Sequence, residues 1–318
     1  MMKNLIKEFF KKKDGVFAVQ LFANDSFTLN EFDESHLILR MPIEKLWMPK
    51  PKLFQADPFL FVKDEELYLF YELQYGFDPA KIVMIKTADL KTWTKPIVVL
   101  SEPFHLSFPF VFEDEGKIYM IPECEKTDTI RLYEGNDDLT SFRYIRTLLQ
   151  QKRTKELNYN YSDSHIYKKD GIYYLFTSYT KNWQLYQTLY YSDDLIKGIF
   201  VPHPRTPIII DNEYGRNGGS IIEYGNKLFR ISQDCHKDYG ENVSLHEVCT
   251  LNERQYEEKL YRRNLYTKNN LFPDGGHHLN MVRFNGKYIY STDYKENHWT
   301  WYHLYHYCLV NLHMREKR

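Results

Sequence analysis

"DPFLFVKDEELYLFYE" (Asp57–Glu72) reads as an apolar strand, a polar turn of two residues, and a second apolar strand that ends on a carboxylate. Aromatic and β-branched side chains on both arms suit a pleated, half-buried surface, and the charged turn between them suits a hairpin. The same sixteen-position pattern returns without gaps as "FPFVFEDEGKIYMIPE" (Phe108–Glu123), "DSHIYKKDGIYYLFTS" (Asp163–Ser178), "GGSIIEYGNKLFRISQ" (Gly218–Gln233) and "HLNMVRFNGKYIYSTD" (His278–Asp293). The copies start at 57, 108, 163, 218 and 278, so the steps are 51, 55, 55 and 60 residues. Gly116, Gly171, Gly225 and Gly286 stand in or beside the polar turns, as tight β-turns require.

Each hairpin is followed by a third apolar run. These are "KIVMIKTADLKTW", "TIRLYEGNDDL", "LYQTLYYSDDL", "NVSLHEVCTL" and, after the fifth copy, "HWTWYHLYHY". The tails of the first three lead toward a fourth, outer strand. Five units of four strands with a period near fifty predict an all-β, five-bladed β-propeller, a single domain over residues 1–318. "GVFAVQLF" (Gly15–Phe22) precedes the first unit and is expected to close the last blade, and residues 1–14 read as a short Lys-rich helix.

Composition narrows the partners. The chain has 318 residues, of which 43% are hydrophobic, 27% charged and 17% aromatic, with 27 Tyr and 21 Phe. Rings in this number fit a β-core and also fit sugar binding, where C–H faces stack on them. Net charge is −1 (42 Lys+Arg against 43 Asp+Glu), which supplies no basic field for nucleic acid. The four cysteines show neither zinc spacing nor a disulfide framework. No run of 18 apolar residues offers a transmembrane segment, and a cytoplasmic location is expected.

Superposing the repeats places three polar columns at the channel end of the innermost strands. The first reads Asp57, Phe108, Asp163, Gly218, His278; the one before it reads Ala56, Ser107, Ser162, Asn217, His277; the end of the second strand reads Glu72, Glu123, Ser178, Gln233, Asp293. Columns that serve only the scaffold should be uniform or apolar, so these predict a site built around the axis. Asp before Pro is also a turn initiator, which is the alternative reading of Asp57. Blade four adds Arg216 and Asn217 in "YGRNGG" and Gln233, Asp234 and Tyr239 in "ISQDCHKDYG"; blade two adds His105. Asp57, Glu123 and Asp163 are the candidate acid and base. Glu72, His105, Phe108, Arg216, Asn217, Gln233, Asp234, Tyr239, His277, His278 and Asp293 are the candidate substrate contacts. No cofactor is required, and a divalent cation on the axis near His278 is the one that the pattern leaves room for.

"ADP" at Ala56–Pro58 resembles the blade-one motif of five-bladed propeller glycosidases of the arabinanase, β-xylosidase and invertase type. That resemblance implies a catalytic Asp57, a blade-two carboxylate where this chain has Phe108, and a blade-three Glu where it has Asp163. "FQADPFLF", "HLSFPFVFEDEGKIYMIPE", "YGRNGG", "RISQDCHKDYG" and "GGHHLN" look more closely like the N-terminal propeller domain of plant glucosamine inositolphosphorylceramide transferases and its bacterial homologues. This implies a carbohydrate or glycolipid substrate and partners among polysaccharide-biosynthesis proteins. The plant proteins continue into a separate transferase domain for which this chain has no room, so transfer itself is not implied. The expected activity is on a glycosidic bond in the central channel; the alternatives are a non-catalytic glycan-binding module and a transferase using an activated sugar.

Overall fold

The computed structural model describes residues 13–29, 32–43, 53–76, 78–124 and 126–298. Two strands precede the first repeat, β1 (Asp14–Asn24) and β2 (Leu37–Arg40). Blade one is β3 (Leu53–Lys63), β4 (Glu66–Tyr75), β5 (Lys81–Thr87) and β6 (Ile97–Leu100). Blade two is β7 (Leu106–Asp114), β8 (Lys117–Cys124), β9 (Thr129–Gly135) and β10 (Phe142–Gln150). Blade three is β11 (Leu157–Lys169), β12 (Ile172–Lys181) and β13 (Gln184–Ser192), with the short outer strands β14 (Val201–Pro202) and β15 (Ile209–Ile210). Blade four is β16 (Ile222–Tyr224), β17 (Lys227–Asp234), β18 (Asn242–Leu251) and β19 (Tyr256–Arg262). The last hairpin is β20 (Leu279–Phe284) and β21 (Lys287–His298).

The repeat hairpins form as their turn residues dictate. In four of the five blades both central residues have positive φ: Asp64 and Glu65, Glu115 and Gly116, Asp170 and Gly171, Asn285 and Gly286. Such turns match the right-handed twist of the arms, which keeps each hairpin in register. Apolar side chains then pack blade against blade. Phe59, Phe108, Phe110 and Ile166, from the inner strands of three neighbouring blades, share one buried cluster.

Blade five has the strand order β2-β1-β21-β20. As expected, the N-terminal strand closes the ring, and β1 pairs with β21 along its whole length, from Asp14↔His298 to Asn24↔Tyr288. β1 therefore holds the third position that the sequence had given to "HWTWYHLYHY", most of which lies outside the described residues. Residues 1–12 of the expected N-terminal helix lie there too, whereas Lys13 is not helical and Asp14 already belongs to β1. Among the described residues no helix is long and apolar enough to cross a membrane.

Candidate functional site

The three polar columns meet in space because the repeats share a defect. Ala56 pairs with Glu72, Ser107 with Glu123 and Ser162 with Ser178, and just after each pair the ladder is interrupted by a bulge. The bulged residue is the first-column residue: Asp57, Phe108 and Asp163 have φ of 53, 47 and 51°. A left-handed non-glycine residue costs about 1–2 kcal/mol, so its recurrence at one place in three blades marks a feature imposed by the surroundings.

Those surroundings form a ring of hydrogen bonds at one level of the axis. The amide of Asp57 donates to Asp293 Oδ2 at 3.4 Å, that of Phe108 to Asp57 Oδ2 at 3.1 Å, and that of Asp163 to Glu123 Oε2 at 2.9 Å. Asn217 Nδ2 donates to the Asp163 carbonyl at 2.8 Å, and the Leu279 amide to the Gly218 carbonyl at 2.7 Å. Each bond links one blade to the next, so every blade interface is crossed once. The bulges release amides from the ladder, and carboxylates of the preceding blade accept three of them.

Above this ring lies a pocket of about 480 Å³. Asp57, Glu72, His105, Glu123, Arg216 and Tyr239 all line it. His105 Nε2 lies 3.1 Å from Glu72 Oε1. Arg216 donates through Nε to Asp163 Oδ2, keeps Nη2 3.7 Å from Glu123, and sits 5.3 Å from the centre of the Tyr239 ring. Gln233 Nε2 also donates to Asp163 Oδ2, at 2.8 Å. Asp163 is thus an anchor for Arg216 beneath the pocket, and does not itself line it.

Burial sets the protonation states. It pushes the Asp57 carboxyl up to about 8, with Asp163, Glu72 and Asp293 adding to the rise and His277 opposing it. Burial also raises Glu123 well above the usual range, helped by Asp163 and opposed by Arg216. Burial alone would lower His277, but Asp293 and Asp57 outweigh it and hold the imidazolium to about 9. Its Nδ1 lies 2.6 Å from Asp293 Oδ2 and its Nε2 lies 3.4 Å from Asp57 Oδ1. Desolvation wins at the neighbouring His278, whose value falls to about 3.

The sequence left room for a cation on the axis near His278, and among the described residues a group with metal-ligand potential stands beside it: Asp57, His277 and Asp293. Two carboxylates and an imidazole are donors that a divalent cation accepts. A cation would need the neutral imidazole, so its binding would release the proton that Asp293 and Asp57 favour on His277. His278 is fully buried, edge-on to Phe59 and Phe108, with Nδ1 3.7 Å from Asp57 Oδ1. Of the other expected contacts, Phe108, Asn217, Gln233, His277 and Asp293 sit buried beneath or beside the pocket, and Asp234 accepts from the His236 amide. Sequence reasoning missed Phe17 of β1, which lines the pocket and lies 4.3 Å from the His277 ring. It also missed Phe54, Gln74, Tyr159 and Asp238 on the walls. Phe54 and Gln74 pair two positions beyond the aligned columns, and the predicted ring closure by "GVFAVQLF" was the available signal for Phe17.

Fold and site together define a five-bladed propeller with a carboxylate-rich pocket at one end of its axis. Residues 45–292 match the family model described as "Glucosamine inositolphosphorylceramide transferase 1, N-terminal", and the chain belongs to that family. It is 33% identical over 202 residues to glucosamine inositolphosphorylceramide transferase 1 of Arabidopsis thaliana, an alignment covering 60% of this chain and 25% of the plant protein. The chain thus matches about a quarter of that relative's length. Among solved structures, a GH43 protein from Bacillus licheniformis superposes with a TM-score of 0.54 at 18% identity, covering 80% of this chain and 55% of that one. A family 117 glycoside hydrolase from Zobellia galactanivorans superposes with a TM-score of 0.56 at 12% identity, over 89% of this chain and 92% of the other. At these identities the likeness is one of fold.

Proposed function

We propose that the pocket binds a saccharide, in surface-polysaccharide or glycolipid metabolism, and that Asp57 and Glu123 act on its glycosidic bond. The observation that carries this reading is the pairing, on one pocket surface, of two carboxyls whose proton affinities are both raised by burial. Glu123 is suited to donate a proton to a leaving oxygen. Asp57 is the base or nucleophile: the His277 imidazolium and the Phe108 amide both face its carboxylate and stabilise the anion once it forms. Arg216, held by Asp163, offers its outer nitrogens to a hydroxyl or an anionic substituent. The names of the relatives, a transferase and glycoside hydrolases, support carbohydrate as the substrate class.

The test compares wild type with Asp57→Asn and Glu123→Gln on a glycan array and on activated-sugar donors. Turnover by wild type alone is expected, with an ascending limb near pH 8 set by Asp57, and with binding retained in both variants. Turnover unchanged in both variants would remove Asp57 and Glu123 from the chemistry. A second reading, a non-catalytic glycan-binding module, is favoured by Phe108 at the blade-two position and by the engagement of Asp163 with Arg216 and Gln233. It requires binding with no turnover in any of the three proteins.

A further inference from the structure

The two ends of the propeller differ in what their turns display. At the end away from the pocket the hairpin turns are Asp64–Glu65, Glu115–Gly116, Asp170–Gly171, Gly225–Asn226 and Asn285–Gly286. Tyr224, beside one of them, is 43% exposed but has one face taken, lying flat on Phe27 with ring centres 3.7 Å apart. At the pocket end Tyr75, Tyr159, Trp183 and Tyr239 are all exposed, Trp183 most of all at 73%.

Trp183 is in an unexpected place. It occupies the β12–β13 turn with φ of 63°, after Asn182 at 50°, where glycine is the unstrained choice. Three bonds hold the turn in this form. The Trp183 amide donates to Asn158 Oδ1 at 2.8 Å, Asn212 Nδ2 donates to the Trp183 carbonyl at 3.2 Å, and the Asn182 amide donates to the Glu156 carbonyl at 3.0 Å. A large apolar ring is therefore kept in water on a strained but fixed backbone, an arrangement that no packing in the fold accounts for. Tyr159, the residue after Asn158, lines the pocket, so the Trp183 turn stands on the same end of blade three as the pocket wall. The Lys181–Glu156 ion pair beside it, at 2.8 Å, makes this a ring set among polar groups and not an apolar patch.

We propose that Trp183 is a second saccharide-binding position, a stacking platform that takes a sugar unit of the same chain whose end occupies the pocket. The proposal rests on the saccharide reading of the pocket. Rigid exposed aromatics bind at low entropic cost, and sugar C–H faces stack on an indole while the flanking polar groups meet its hydroxyls. A lipid surface would instead call for a contiguous apolar patch.

The test measures binding of xylo-, fructo- and glucosamine-containing oligosaccharides of increasing length, from the monosaccharide up, and of phosphatidylcholine–phosphatidylserine vesicles, with tryptophan emission as a second readout. For at least one series, wild-type affinity is expected to rise with length. Trp183→Ala should lose that rise, by between about threefold and tenfold for the longer members, and leave the monosaccharide unchanged. Trp183→Tyr should retain most of it. Trp183→Gly should bind like the Ala variant while melting no lower than wild type, which separates lost stacking from lost folding. Monosaccharide binding with no length dependence, or length dependence that survives Trp183→Ala, would overturn the platform alone. No saccharide binding at any length would overturn the pocket reading with it, and a Trp183-dependent response to vesicles only would assign the ring to a membrane.

Discussion

At Asp57 the needs of the ring and of the carboxyl pull against each other. The side chain must accept the Phe108 amide and its own amide must reach Asp293, which fixes it in a left-handed bulge with only 5% of its surface exposed. The same burial makes ionisation costly. In the unfolded chain this carboxyl loses its proton above about 3.8, whereas the folded chain keeps it until about 8. The folded state therefore binds more protons across that window, and stability falls as pH rises through it. His277, raised from 6.5 to about 9, adds a loss of the same sign in the upper part of the window. Asp57→Asn keeps an acceptor for the Phe108 amide and removes the ionisation. It is expected to melt above wild type at pH 8, with the difference shrinking toward pH 4 in thermal unfolding followed by circular dichroism. A variant that melts below wild type at every pH would show that the buried anion is needed for the ring.

Blade four shows what an element can conceal from its sequence. Arg230 on β17 is fully buried and donates to both oxygens of Glu258 on β19, each at 2.7 Å, across the intervening β18. His246 of β18 lies between them, with Nδ1 3.3 Å from Glu258, and burial holds it neutral by lowering it to about 3. Glu258→Ala leaves an uncompensated buried guanidinium and is expected to cost about 3–5 kcal/mol in urea unfolding, whereas Arg230→Met with Glu258→Leu should recover most of that loss. A single-variant cost below about 1 kcal/mol would contradict the pairing. Arg230 prevails over burial to hold the Glu258 carboxyl down to about 2, so the pair's contribution is complete above about 4.5 and is lost as pH falls toward 2. The strands, turns and repeat period were legible because hairpin chemistry is local, and the three columns were legible because repeats superpose. The bulges were not, since φ at Asp57, Phe108 and Asp163 answers to bonds made 40–236 residues away in sequence. For the same reason the alignment marked His277 and His278 together but could not tell the charged one from the neutral one. Nor could it tell that Asp163 holds Arg216 while Glu123 faces the pocket.

At the scale of the molecule, the site exists because the ring is closed. Each blade contributes two partners to the hydrogen-bonded circle at the pocket floor, one toward each neighbour, so no blade can leave without freeing a polar group of the blades beside it. Closure itself depends on β1, which lies outside the 45–292 span of the family match yet pairs with β21 over eleven successive positions. β1 also brings Phe17 against His277, so the strand that shuts the ring is part of the pocket wall. Without it β21 would present a long unpaired edge, an invitation to aggregation, and His277 would lose the ring that helps to exclude water from its pairs with Asp57 and Asp293. A chain that starts at residue 45 is therefore expected to aggregate, or to lose its single cooperative unfolding transition and its near-ultraviolet circular dichroism. Supplying residues 1–44 by co-expression should restore both, because an added strand can dock on an open edge through main-chain bonds. A shortened chain that melts as sharply and as high as the full one would mean that blade five is held by β20, β21 and the ring of bonds alone, and that β1 acts on the pocket without supporting the fold.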